Sequence, residues 1–227
     1  MTSAKLIIPT ALSYNKKEFV FWVKKLEPFF KSIHLDIVDS SYGRESWFDE
    51  FITFDYLKSF NKIIIHLMVS DPFDFLFNKS KYLKKKNTIY LLRYSSLGEN
   101  IKNKLMRLKS LDFNLGLFFN LTDSMDLPLE HLQYFSEFMF MCVKAGKSGS
   151  KYNPKGLKNL DDFIKKYDNF LLDTTLSVDG GFNELTYQEF LSSKAYVIYT
   201  NSFLKKNGPK EALNKLSILA NQCSSKN

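Results

Sequence analysis

Eight short apolar runs, separated by longer amphipathic segments, constrain this chain more than any other feature. They lie near 5–9, 33–38, 62–68, 88–93, 113–119, 137–143, 171–178 and 195–200. Several are apolar without alternation, as in Ile63-Ile64-Ile65 and 115–119, which is expected of parallel strands buried on both faces. Helices are expected near 15–30, 71–84, 98–109, 123–134, 155–167, 183–193 and 209–222, and the aromatic-rich segment 43–59 is expected to be partly helical. Asn15, Asp71 and Asn183 stand where helix caps belong, and Pro209 suits the first turn of the last helix. Strands alternating with helices predict an α/β fold with a parallel sheet. Eight strands are the number that closes a barrel, and an open doubly wound sheet is the alternative. No linker rich in Pro, Gly or Ser divides the chain. One domain is therefore expected over 1–223, followed by a disordered tail at 224–227.

Composition narrows the partners. The 227 residues are 44% hydrophobic and 25% charged, with 22 Phe and 12 Tyr, which excludes a disordered or collagen-like chain and supplies ample core. No uncharged apolar run approaches the roughly 18 residues of a membrane span, so no membrane partner is expected. Cys142 and Cys223 have neither metal-knuckle nor redox spacing and read as reduced thiols. The first twelve residues lack the basic start, long apolar centre and cleavage site of a signal peptide. The expected compartment is the cytoplasm, where the sequons at Asn78 and Asn120 have no consequence. The net charge of +8 comes from dispersed lysines, the densest cluster being 84–86. Without a zinc-finger, basic-zipper or RNA-binding signature no nucleic-acid partner is expected. A basic surface can equally steer a small anion such as a sugar phosphate.

Chemistry-bearing residues collect at the downstream ends of the runs. His34 and Asp36 are two apart, so they share one strand face. His66 ends 63–65, and Asp179 ends 176–178 and precedes Gly180-Gly181. In a barrel such ends converge on the face where active sites sit. Two imidazoles and two carboxylates there form a cage for a divalent metal. Glycine-containing loops follow the sixth and seventh runs, at 145–150 and 180–181, and Asn201-Ser202 follows the eighth. Such backbone can approach an anion closely. Gly146-Lys147-Ser148 is not a nucleotide P-loop, because Met141 stands where that motif needs its first glycine. His131 falls in a helical segment expected at the surface and is given no role.

At these residues the chain resembles the ribulose-phosphate 3-epimerase family, over about 6–215. Ile8-Pro9-Thr10-Ala11-Leu12-Ser13 is similar to the family's Pro-Ser-Ile-Leu-Ser opening. His34-Leu35-Asp36-Ile37-Val38-Asp39 resembles His-x-Asp-x-Met-Asp, and His66-Leu67-Met68-Val69 matches His-Leu-Met-Val. Gly116-Leu117-Phe118-Phe119-Asn120 resembles the fifth strand, 143–154 follows the glycine loop, and Val178-Asp179-Gly180-Gly181 matches Val-Asp-Gly-Gly. The resemblance implies a (β/α)8 barrel with a ribulose-phosphate-binding type of phosphate site. It implies one divalent metal on His34, Asp36, His66 and Asp179, zinc first and iron, manganese or cobalt after it. Asp36 and Asp179 would also be the acid/base pair. Thr10, His66, Met68, Met141, Gly146, Gly149, Gly180, Gly181, Asn201 and Ser202 would meet the substrate.

The implied reaction is epimerisation at C3 of a phosphorylated ketose through an enediolate, by default D-ribulose 5-phosphate to D-xylulose 5-phosphate, in a homo-oligomer. The loops depart from the family pattern. Its Met-Asp-Gly-x-Phe-Val-Pro-Asn is 38–45 here, its Asn-Pro-Gly-Phe-Gly-Gly is 144–149, and its Gly-Ser after the eighth strand is Asn201-Ser202. Asn201 is expected to keep the backbone shape by adopting a positive φ. The fourth run ends in Arg93-Tyr94 where the family usually carries a His nearby. The alternatives are an epimerase for another ketose phosphate, such as allulose 6-phosphate or a surface-sugar precursor, and a non-catalytic sugar-phosphate-binding barrel.

Overall fold

Each apolar run becomes a strand, and the strands close on themselves. The computed structural model describes residues 5–84, 86–146 and 149–224. The strands are β1 (Leu6–Ala11), β2 (Ser32–Val38), β3 (Lys62–Met68), β4 (Thr88–Arg93), β5 (Asn114–Phe119), β6 (Phe135–Met141), β7 (Thr175–Asp179) and β8 (Val197–Thr200). They pair in parallel in chain order, and β8 returns to β1. This is the expected barrel, and the open doubly wound sheet is excluded. Helices α1 (Lys16–Leu26), α2 (Thr53–Tyr56), α3 (Pro72–Asn78), α4 (Ile101–Ser110), α5 (Leu129–Leu132), α6 (Lys155–Tyr167) and α7 (Tyr187–Ser192) follow the first seven strands. Two helices, α8 (Ser202–Asn207) and α9 (Pro209–Ser224), follow β8. Among the described residues no helix is long and apolar enough to cross a membrane.

Burial on both faces explains why the runs do not alternate. On β2, Ile33, Leu35 and Ile37 point outward and pack in one apolar layer with Phe19, Trp22, Val23 and Leu26 of α1. A separate layer fills the pore, where Ile64, Leu91, Phe118, Met139 and Tyr199 meet. Gly116 is what lets this pore close. A Cβ there would stand 2.5 Å from the Leu91 side chain and 2.9 Å from the Glu137 carbonyl. In the outer layer Phe163 of α6 lies 4.9–5.4 Å, ring to ring, from Phe119, Phe138 and Phe140. Truncating such a ring to Ala costs about 3–5 kcal/mol.

Local signals set most boundaries. The Asn15 side chain accepts from the Glu18 N–H at 2.9 Å, and that of Asp71 accepts from Asp74 N–H at 2.8 Å; each cap contributes about 1 kcal/mol. Asn183 caps a turn rather than the helix: its side chain accepts from the Leu185 N–H, and α7 starts only at Tyr187. The helix expected over 123–134 shrinks to α5. Ahead of it the Tyr167 hydroxyl holds the chain extended, donating to the Met125 carbonyl and accepting from the Leu127 N–H. The seventh strand begins at Thr175 rather than 171, because a tight turn carries 171–174. His131 is buried rather than on the surface, its Nδ1 2.7 Å from the Tyr94 hydroxyl. Of the tail expected to be disordered, Ser224 closes α9 and 225–227 lie outside the described residues.

Candidate metal centre and active site

Strand periodicity aims three sets of polar side chains into one end of the pore. β2 turns His34 and Asp36 inward together, and register places Asp36 beside His66 of β3. β7 delivers Asp179 from the other side of the barrel. One potential ligand atom from each of the four lies within 4.8 Å of all the others, so one ion can reach the whole set with modest contraction. His66 Nδ1 is 3.1 Å from Asp36 Oδ1 and 3.9 Å from Asp179 Oδ2. His34 Nδ1 is 3.7 Å from Asp36 Oδ1 and 3.0 Å from Thr10 Oγ1. The rings are packed as well as bonded. His34 stacks on Tyr199 at 4.2 Å, and His66 meets Phe118 edge-on at 4.3 Å.

Electrostatics favour a cation here. Both imidazoles are fully buried, and Nε2 of each has no hydrogen-bond partner. A buried polar atom without a partner is costly unless something else engages it. Burial pushes the His34 imidazole down to about 3, against the pull of Asp36 and with a smaller push from His66. The ring is therefore neutral, the form that ligates metals. Burial, and then the charge of Asp36, raise the Asp179 carboxyl well above its ordinary range, while the Gly180 N–H opposes them. A divalent cation would relieve the repulsion between the carboxylates and could be met by a neutral nitrogen of each imidazole. The four residues fit such an ion.

Asp36 and Asp179 reach a pocket at the barrel mouth, while His34 and His66 lie behind it. His66, expected also to meet substrate, is thus set apart from the pocket surface. Thr10 lies on the floor with its hydroxyl engaged by His34. Met68 and Met141 give the pocket apolar lining, and Gly146, Gly149, Gly180, Gly181, Asn201 and Ser202 line it as well. Lys147 and Ser148 lie outside the described residues. Gly180 and Gly181 have φ of +86° and +80°. A Cβ on Gly181 would strike the Tyr152 ring at 2.6 Å, so a larger residue here would disturb packing before it met any ligand. Asn201 has φ of −115°, not the positive value expected, because the chain turns directly into α8.

Several neighbours were not anticipated. Leu12, Val143, Thr200 and Lys144 also line the pocket, Lys144 as its one cation among the described residues. Leu12 follows Thr10 by two and was legible from strand period. Tyr199, and the buried Glu137 that it meets, stand out in the sequence only as polar groups inside apolar runs.

The family model described as "Ribulose-phosphate 3 epimerase family" matches residues 6–204. No curated protein sequence matches the chain significantly. Among solved structures, phosphoribosyl anthranilate isomerase from Thermus thermophilus is similar at 10% identity and a TM-score of 0.60, over 96% of this chain and 99% of that one. Orotidine 5'-monophosphate decarboxylase from Sulfolobus solfataricus gives 11% identity and 0.59 over 96% and 99%. KGPDC from Streptococcus mutans, solved as a ligand complex, gives 10% and 0.55 over 92% and 94%. These likenesses carry the fold alone, a barrel shared by enzymes of different chemistry. The family match runs from the first strand into α8 and spans every strand that feeds the His/Asp cage; this chain belongs to the ribulose-phosphate 3-epimerase family.

Proposed function

We propose that the protein is a cytoplasmic epimerase acting at C3 of a ketose phosphate, by default interconverting D-ribulose 5-phosphate and D-xylulose 5-phosphate. One observation carries the reading: Asp36 and Asp179 come from opposite sides of the barrel and are the two cage residues that face the pocket. Inversion at carbon needs a proton removed from one face and returned to the other. Asp36 would take the C3 proton in one direction while Asp179 delivers one to the opposite face, and the roles exchange in reverse. One divalent metal per chain, zinc first, held by His34, Asp36, His66 and Asp179, would supply Lewis-acid stabilisation of charge developing on the ketone oxygen. Met68 and Met141 would keep water from the planar enediolate.

The phosphate is assigned to the rim made by the loops after β6, β7 and β8, against backbone N–H groups of Gly181 and 201–202, the Ser202 hydroxyl and the 146–149 loop. Lys144 adds a positive charge on that wall. Fixing a remote phosphate orients the reacting carbon and so contributes to the chemical step. A second reading, another ketose phosphate, is favoured by the changed second loop. A Cβ on Gly146 would stand 2.5 Å from the Tyr42 carbonyl oxygen, so this loop lies against the sixth-strand loop across the mouth. The test is a panel of ketose phosphates incubated with enzyme in deuterated water. Label at C3 of D-ribulose 5-phosphate is expected. Label only in a different sugar would select the second reading, and label in none would end both.

A further inference from the structure

Beneath the cage lies a buried polar column that the proton transfers do not use. Glu137 on β6 is completely buried in the pore. Its Oε1 accepts from the Ser177 hydroxyl at 2.7 Å and from the Tyr199 hydroxyl. Its Oε2 has no hydrogen bond, and Lys62 Nζ, at the start of β3, stands 4.0 Å away. Tyr199 is also completely buried, and its ring lies 4.2 Å from that of His34 at an interplanar angle of 17°. A buried carboxyl in an apolar pore is costly, and packing alone would be served better by an apolar side chain. The cost has a geometric return: Tyr199 is fixed at both ends, by its hydroxyl on Glu137 and by its ring face on His34. The Thr10 hydroxyl meets an edge of the same imidazole at 3.0 Å. One edge and one face of His34 are then set.

We infer that Tyr199, anchored by Glu137, is a positioning residue for the metal centre, holding the His34 ring in the plane from which it ligates. This rests on the metal-site reading proposed above. Neighbours that orient a ligating histidine commonly set metal affinity by about 10–100-fold. Tyr199 does so here through ring stacking rather than through a hydrogen bond to the imidazole.

The test uses full-length protein with cobalt(II) and zinc(II) as probes, reading the dissociation constant and the visible absorption of the cobalt form. Tyr199→Phe combined with Glu137→Leu removes both ends of the anchoring bond, leaves no buried charge, and is expected to fold. Its cobalt affinity should fall about 10-fold with a shifted cobalt spectrum, and Tyr199→Leu with Glu137→Leu, which also removes the ring, should fall further, toward 100-fold. Glu137→Gln keeps an acceptor for the Tyr199 hydroxyl and should restore near-native affinity and spectrum. Thermal unfolding of the metal-free variants separates folding from ligation. If the wild type binds and the folded double variants match it in affinity and spectrum, the positioning role is overturned while the metal site stands. If Glu137→Gln behaves like the double variants, the anchor role of the hydrogen bond is overturned. Should wild-type protein itself bind neither ion, the metal-site reading fails first.

Discussion

The two ends of the pocket are built by different means. At the end of the His/Asp cage, four side chains project from three strands, each direction set by strand alternation and each position by register with a neighbour. At the end proposed for the phosphate the pocket is made from loop backbone after β6, β7 and β8, with glycines at positive φ and exposed positions such as Ser202. By the resemblance set out above, the family pattern is kept at the strand end and altered in the loops. A fixed charge centre tolerates little displacement, because on the proposed mechanism a metal and two opposed carboxylates would share one small volume. A loop can change which sugar it admits without moving that centre. Reaction type should therefore follow the strands and substrate choice the loops.

The largest effect should come from the carboxylates. Asp36→Asn and Asp179→Asn each keep shape but cannot cycle a proton, so turnover should drop by about 10³-fold or more, with circular dichroism unchanged. Metal content must be measured beside the rate. A variant that retains metal and near-normal turnover would break the strand half of the comparison.

Next comes metal removal. Chelator-treated protein should lose exchange of the C3 hydrogen and recover it when zinc or cobalt is returned. Its thermal midpoint should fall, because an ion bound only by the folded state stabilises it. His34→Ala should refuse reconstitution. Exchange that survives complete chelation, with metal absent by elemental analysis, would remove the ion from the mechanism.

What the sequence disclosed follows the same division. His34 and Asp36 were legible because a two-residue step keeps one strand face, and β2 realises it. The eight strands were legible because an unalternating apolar run has few other homes. The 123–134 segment was misjudged because a distant hydroxyl, that of Tyr167, competes for its backbone groups. His131 was expected at the surface for the same reason, since its partner Tyr94 lies 37 residues away. At Asn201 a local preference gave way to the immediate start of α8. The Tyr199–Glu137 contact spans 62 residues, and only barrel closure brings it together.

A loop-end test should give an intermediate effect on one kinetic constant alone. Ser202→Asp places a negative charge on the rim where the phosphate is assigned, at an exposed position that tolerates the side chain. KM for the phosphorylated ketose should rise about 10-fold through charge repulsion, with metal content unchanged. Gly181→Val is the poorer probe, since its side chain would meet Tyr152 first. If Ser202→Asp leaves KM untouched, the phosphate sits elsewhere on the mouth.

The smallest effect is in the pH dependence of metal-free stability, and it belongs to the strand end alone. Burial holds the His34 imidazole at about 3 in the folded chain, against about 6.5 when unfolded. The unfolded state therefore binds more protons between those values, so stability is fully present above pH 6.5 and is lost as pH falls toward 3. Between pH 6.5 and 5.5 one such group removes about 1 kcal/mol. Asp179, raised by burial and by Asp36, tilts the curve the opposite way, because folding favours its protonated form as pH falls. That contribution remains when His34 is replaced. His34→Gln should thus flatten the acid-side loss by about 1 kcal/mol over that unit, read from urea unfolding of chelated protein at each pH. Ser202→Asp should leave the loss as it is in the wild type. Equal slopes for wild type and His34→Gln would mean that the ring is not held neutral by burial, and the contrast between a strand-fixed charge centre and an adjustable loop rim would lose its electrostatic basis.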